Sequence, residues 1–315
     1  MKILITGGAG FVGHNLALYL HNRGYTVIAF DSMERAVSRA YRKLYDSGVT
    51  VVHGDVRDEV ALSAVVKSVD LVIHGAAYVR SDESFNKPRE YIDNNVGGTA
   101  VVAKSCLEYN KPLVYISSAA VYGNPLKLPI NEDHPTNPVS IYGLTKLMGE
   151  HVVKLYGNFG LKYVIVRPFN IYGSGQSEEY AGVITRFISR ACRGEPLIIY
   201  GDGLQTRDFI HIYDFSRLVE LIIERGPYGE VFNAGSGRPM RIIDLAELIR
   251  ALTRKPVEIV HAPPRIGDIR DSWADISKAK KLLGFQPTVN IERGLADLID
   301  ELCVEKRSPP AKTSA

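Results

Sequence analysis

The chain has 315 residues, of which 45% are hydrophobic and 23% charged, and a net charge of +3 at neutral pH. That length allows one large domain or two joined ones with an ample core, and the composition is ordinary for a soluble globular protein. The weak, evenly spread charge excludes a nucleic-acid footprint, and no apolar run is long enough to span a membrane. Cys106, Cys192 and Cys303 lie far apart without metal-ligand spacing and predict reduced thiols in a cytoplasmic protein. The N-terminus enters a strand after one lysine, so no secretory leader is expected and no metal is predicted.

In chain order, "KILIT" predicts a first strand and "FVGHNLALYLHNRG" a helix that Gly24 terminates. Between them, "GGAGFVGHNL" carries Gly8-x-Gly10-x-x-Gly13, with Gly7 just ahead. Small residues in such a turn let the backbone approach a pyrophosphate, and the helix start offers N–H donors and a positive dipole end. The second strand, "TVIAF", ends in Asp31. An acid there can accept from both ribose hydroxyls of an adenosine and repels a 2′-phosphate, which predicts NAD rather than NADP.

Further strands follow at "VTVVHG", "DLVIHGA", "PLVYISS" and "KYVIVRP", each separated by a helical segment. This alternation predicts an α/β fold: a Rossmann-type, doubly wound parallel sheet covered on both faces, regular to about Arg167. Denser Gly and Pro with shorter helices then predict a smaller C-terminal substrate lobe. The expected division is 1–167 for the NAD-binding domain and 168–305 for the lobe, with segments near 207–235 returning to the main sheet. Residues 306–315 are expected to form a disordered tail.

The chemistry points to "SIYGLTKLMGEHVVKLYG", where Tyr142-x-x-x-Lys146 places both side chains on one helix face. A phenol ordinarily titrates near pH 10, so an adjacent ammonium and a cationic nicotinamide are expected to stabilise its phenolate. Ser117 and Ser118 end the strand "PLVYISS" on the side where open α/β sheets bind ligands. Ser118 is placed to hydrogen-bond a reacting oxygen beside Tyr142, and Ser117 reads as a hydroxyl capping the next turn.

The ordered set "TGGAGFVG", "SSAAVYG", "YGLTK", "RPFNIYG" and "GDGLQTRDFIHIYD" resembles the extended short-chain dehydrogenase/reductase family. Within it the chain is most similar to the NAD-dependent nucleotide-sugar epimerases of the UDP-glucose 4-epimerase type, over residues 3 to about 285. The resemblance implies that Gly7, Gly10, Phe11, Val12 and Gly13 form the turn under the pyrophosphate and Asp31 the ribose acid. It implies that Asp55 and Val56 bracket the adenine, that Ala76 and Ala77 let the cofactor lie against the fourth strand, and that Asn95 supports the active-site backbone. Ser118, Tyr142 and Lys146 resemble the catalytic triad, and Phe169 a nicotinamide contact. For a UDP-sugar substrate it implies Asn170, Arg207 and Arg265 at the diphosphate, Tyr200 against the uracil, Asp268 on its ribose and Ser272 beside the hexose C2 substituent.

Dehydratases of this family carry an acidic pair where the chain has Ala119 and Ala120, so 4,6-dehydration lacks its proton-transfer groups. Many 4-epimerases carry Tyr and Lys where the chain has Pro168 and Val79. Another NAD-dependent sugar-nucleotide enzyme, such as a UDP-glucuronate decarboxylase or a 4-reductase, uses the same parts. A non-catalytic dinucleotide sensor has no need of the triad. The helical segments at "EYIDNNVGGTAVVAKSCLEY" and "YGLTKLMGEHVVKLYG" predict a homodimer through an intersubunit four-helix bundle.

Overall fold

The structure is a computed structural model that describes residues 1–36, 38–177, 182–264 and 269–305. The first half runs β1 (Lys2–Thr6), α1 (Phe11–Asn22), β2 (Thr26–Asp31), α2 (Ser38–Asp46), β3 (Thr50–His53), α3 (Glu59–Lys67) and β4 (Leu71–His74). Short helices α4 (Ser81–Asn86) and α5 (Pro88–Tyr91) lead through a π-helical stretch, Ile92–Gly97, into α6 (Gly98–Glu108). Next come β5 (Leu113–Ile116), α7 (Ile141–Asn158), β6 (Tyr163–Pro168) and β7 (Asn170–Tyr172). The remainder is α8 (Val183–Cys192), β8 (Leu197–Tyr200), β9 (Thr206–His211), α9 (Ile212–Arg225), β10 (Val231–Ala234), β11 (Pro239–Arg241) and α10 (Ile242–Thr253). It closes with β12 (Ile259–Ala262), β13 (Asp271–Ser272), α11 (Ser277–Leu283) and α12 (Ile291–Glu305).

Seven strands form one sheet in the order β10-β6-β5-β4-β1-β2-β3, with every neighbouring pair parallel. The chain winds outward through β2 and β3 on one side of β1 and through β4, β5, β6 and β10 on the other. The reversal falls between β1 and β4, so the ligand crevice of this fold opens at their C-terminal ends. Alternation within each strand builds a core on both faces. Ile3 and Ile5 of β1 pack in one apolar cluster with Leu16, Leu20 and Phe215, while Leu4 packs in the other with Phe30, Leu62 and Val102. The doubly wound parallel sheet expected from the alternating runs is thus the observed architecture.

A smaller sheet orders β11-β9-β13, with β7 also paired to β9, and β12 pairs β8 separately. A third apolar cluster joins α8, α10 and α12 through Ile188, Leu245, Ile249 and Leu295. Cys192 at the end of α8 is disulfide-bonded to Cys303 in α12 across 111 residues of sequence, and Cys106 is free and buried. The expectation of three reduced thiols is corrected for two of them. Distance along the chain concealed a pair that helix packing brings to a Cα separation of 5.3 Å. Among the described residues no helix is long and apolar enough to cross a membrane.

Candidate active site

The glycine turn is set by backbone crowding. A Cβ on Gly13 would collide with the Gly7 carbonyl oxygen, and one on Gly7, whose φ is +70°, would come within 2.8 Å of the Ala76 backbone. The turn leaving β1 and the chain leaving β4 therefore meet through the backbone of Gly7, Gly75 and Ala76. Helix α1 starts after Gly10 with no side-chain cap and no acid in its first turn. The N–H groups of Phe11 and Val12 thus keep no intrahelical acceptor, which suits an anionic diphosphate. Asp31 stands beside them: its Oδ2 accepts from Ala9 N at 2.9 Å and its Oδ1 from Met33 N at 2.8 Å. A carboxylate oxygen has a second lone-pair direction, so each can still accept from a ribose hydroxyl. These residues fit NAD.

Around that turn, Val56 packs against Gly98 at the start of α6. Asp55 is gripped by Arg57, whose Nε donates at 2.9 Å, and this bonding holds the carboxyl below its usual range. Asn95 sits in the π-helical stretch. Its Oδ1 accepts from Tyr78 N at 2.8 Å, and its Nδ2 donates to Tyr78 O and Thr145 Oγ1, both at 3.0 Å. It ties the chain leaving β4 to α7 at Thr145, within the turn that carries Tyr142 and Lys146.

Ser140 caps α7 by accepting from Gly143 N, and Tyr142 N donates to the buried Ser84 Oγ at 3.1 Å. Ser118 lies close enough to the Tyr142 phenol to favour its charged form. Lys146 Nζ donates to Ile116 O at 2.7 Å, directly before the two serines. Ser118, Tyr142 and Lys146 thus converge at the end of β5. Burial pushes the Lys146 ammonium down to about 7, opposed by Glu150. In the protein without its nicotinamide, burial raises Tyr142 and Ser118 only partly offsets it.

Ser117 is not a turn cap. Its Oγ donates to Glu150 Oε1 at 2.7 Å, and Glu150 forms a buried bidentate pair with Arg167, at 2.8 and 2.6 Å. Arg167 also donates to the Tyr122 hydroxyl, which bonds Asn233. Sequence reasoning missed this network because its members come from β5, α7, β6 and β10. The one available signal was Glu150 at i+4 from Lys146. Phe169 is buried against Tyr122 at the end of β6.

The small sheet gathers part of the expected substrate set. Arg207 of β9 is the register partner of Ser272 in β13, and Asn170 of β7 is the partner of Phe209, two residues further along β9. Register partners share a face, so Asn170, Arg207 and Ser272 lie on one side. Arg207 Nη1 donates to Thr206 O at 2.8 Å, and Asn170 Nδ2 to Asp208 O at 3.1 Å. Tyr200 ends β8 in the separate strand pair, partly exposed, with its carbonyl accepting from Gln205 Nε2. Arg265 and Asp268 fall outside the described residues, as does the 306–315 tail.

Asp208 was also missed. It is fully buried, and its carboxylate accepts from Ser236 N and Oγ, Gly237 N and Ala274 N at 2.6 to 3.1 Å. It clasps the turn after β10 and the segment after β13 to β9, rather than pairing with Arg207 at a surface.

A model of the NAD-dependent epimerase/dehydratase family matches residues 3–235. A UDP-glucose 4-epimerase of Halalkalibacterium halodurans is 35% identical, covering 91% of each chain. The crystal structure of a UDP-glucose 4-epimerase from Thermotoga maritima with UDP-glucose superposes with a TM-score of 0.92 at 31% identity, covering 98% of this chain and 100% of that one. A UDP-N-acetylglucosamine 4-epimerase from Methanobrevibacter ruminantium, in complex with UDP-N-acetylmuramic acid, gives 0.91 at 30% identity, covering 96% and 98%.

Proposed function

The chain belongs to the NAD-dependent epimerase/dehydratase family, and from that premise we propose that it interconverts UDP-hexoses at C4, with UDP-glucose and UDP-galactose as its pair. The observation that carries the reading is the convergence of Ser118, Tyr142 and Lys146 at the end of β5, beside two alanines, Ala119 and Ala120, that have no acid or base to offer. Dehydration needs a proton donor and acceptor next to the triad; oxidation and reduction at C4 need only the triad.

NAD bound there would supply the hydride acceptor and donor chemistry for C4. Tyr142 takes the C4-hydroxyl proton and later gives it back, while Ser118 holds the C4 oxygen. Lys146 has one N–H engaged by Ile116 O, leaving two for the phenol side and the cofactor ribose. Phe11, Val12, Asp31, Asp55, Val56, Ala76, Ala77, Asn95 and Phe169 are assigned to the cofactor, supported by the glycine turn and the strand ends around it. Arg207 and Asn170, with Arg265, grip the diphosphate while Tyr200 and Asp268 hold the uridine. A grip on the nucleotide and a loose hold on the hexose let the keto sugar turn over. Ser272 leaves room beside C2, which extends the reading to the N-acetylated pair.

The enzyme is read as a cytoplasmic homodimer, the Cys192–Cys303 bond notwithstanding. Support for the dimer comes from Leu144 and Leu155 of α7 and the adjoining Phe159, which are 40%, 56% and 71% exposed. Incubation with UDP-galactose, UDP-N-acetylglucosamine and dTDP-glucose, with products resolved by anion exchange, tests the activity. Loss of carbon dioxide from UDP-glucuronate, or no product from any UDP-hexose, overturns it. A monomeric mass in sedimentation at micromolar concentration overturns the dimer.

A further inference from the structure

In the main sheet β2 and β4 flank β1, so any contact between the chain leaving β2 and the chain leaving β4 crosses the end of β1 and its glycine turn. Such contacts exist at Glu34 and Arg35. Arg35, in the segment after β2, forms a bidentate pair with Glu83 of α4, Nη1 to Oε2 at 2.7 Å and Nη2 to Oε1 at 3.2 Å. Its guanidinium lies 3.7 Å from the centroid of the Tyr78 ring, and the Tyr78 hydroxyl donates to Glu34 Oε2 at 2.7 Å. Two adjacent residues of the strap are thus fastened to the β4 side.

Both ends of the bridge are anchored. On the far side, the buried Tyr91 donates to Glu83 Oε2 at 2.8 Å, and its ring meets Tyr78 edge-on at 5.5 Å. On the near side, Met33 takes a φ of 62° and its N–H is held by Asp31, the residue assigned to the ribose. The side chains of Arg35 and Glu83 keep 18% and 20% of their exposure. A planar, forked pair held this far from water, with an aromatic face beneath it, is screened less than an open surface ion pair.

The geometry points to a latch: the Arg35–Glu83 pair, seated on Tyr78, straps the crevice over the glycine turn and sets the rate at which a bound dinucleotide leaves. The inference rests on the NAD reading but concerns release, not chemistry. A dinucleotide whose diphosphate lies on the glycine turn and whose ribose lies on Asp31 has the strap across its exit. Opening it requires breaking two hydrogen bonds and lifting the guanidinium off Tyr78. Neither Arg35 nor Glu83 has a place in proton or hydride transfer, so turnover at saturating NAD is expected to be unchanged when the pair is cut.

The test loads the full-length protein with NADH, mixes it with excess NAD and follows the loss of bound-NADH fluorescence. Arg35→Met and Glu83→Gln are each expected to speed release by about tenfold, the scale of one partly buried charged contact. The double variant is expected to release no faster than either single one, because both remove the same contact. Arg35→Lys, which keeps the charge but not the fork, is expected to fall between wild type and Arg35→Met. Raised salt should speed release from the wild type more than from the variants. One bound NADH per chain, released at the wild-type rate by both single variants, overturns the latch alone, as does simple additivity in the double variant. A wild-type protein that binds no NADH overturns it together with the NAD reading.

Discussion

At the C-terminal end of β1 the chain's own backbone leaves no room for side chains; at β9 a buried carboxylate does the holding. Gly7, Gly13 and Ala76 bring β1, α1 and β4 together by close approach, with main-chain atoms nearest one another. Asp208 instead gathers three segments through four hydrogen bonds from Ser236, Gly237 and Ala274. The first arrangement centres on one short stretch, residues 7–13, and tolerates no added atom. The second is assembled from distant pieces and depends on one charged group staying satisfied. The two platforms, the glycine turn and the small sheet proposed to hold the substrate, thus rest on different physics, sterics in one and buried hydrogen bonding in the other.

The largest effect is expected between the two platforms, where the triad sits. Tyr142→Phe removes the proton acceptor but no binding contact to the nucleotide, so turnover should fall by about 10²–10⁴-fold while NAD and UDP-sugar still bind, as titration calorimetry can show. Near-normal turnover removes Tyr142 from the mechanism. On the cofactor platform, Gly13→Ala should cost about 3 kcal/mol or more in chemical denaturation and abolish NAD binding, because the colliding atom is backbone and cannot yield.

Asp208→Ala should be of similar size, about 3 kcal/mol, because it orphans buried donors rather than creating a clash. Its damage should be local. Hydrogen exchange is expected to rise around residues 235–237 and 274, with NAD binding retained. Equal loss at the glycine turn would show that the two platforms are not separately held. Reduction of Cys192–Cys303, which staples α8 to α12, should lower stability by about 2–4 kcal/mol and leave NAD affinity unchanged. The measurement is a thermal melt with and without reductant, compared with Cys192→Ser.

A further effect is read against pH. His74 is buried between Thr6 Oγ1 and Thr99 Oγ1, and burial pushes its imidazole down to about 3. The unfolded chain therefore binds an extra proton between about pH 3 and pH 6.5, and stability should fall as pH drops through that window. Lys146, lowered to about 7, has the complementary window: stability should rise as pH climbs from about 7 toward 10.5. Melting temperatures across pH for the wild type and Lys146→Met isolate this slope. An identical alkaline slope in both proteins would remove Lys146 as its source.

Legibility followed the same divide. The glycine turn, Asp31 at the end of β2 and the Tyr142–Lys146 spacing were read from short windows, because a turn, a strand end and a helix face each span only a few residues. Ser118 was legible because strand ends line the crevice in this fold class. The segment 90–109 was expected to be helical throughout, yet it is divided among α5, a π-helical stretch and α6. The break places Asn95 where it can bond both the chain after β4 and α7, and periodicity carries no sign of that demand.

The sequence by itself determined the parallel sheet, its two buried faces and the place of the glycine turn, since these follow from local periodicity and from where side chains are small. Only the tertiary structure decided the Glu150–Arg167 pair, the Asp208 clasp, the Arg35–Glu83 bridge and the Cys192–Cys303 bond. Each joins residues from separate elements, so its energy depends on burial and on a partner's distance. Neither quantity exists until the sheet order has brought those elements side by side.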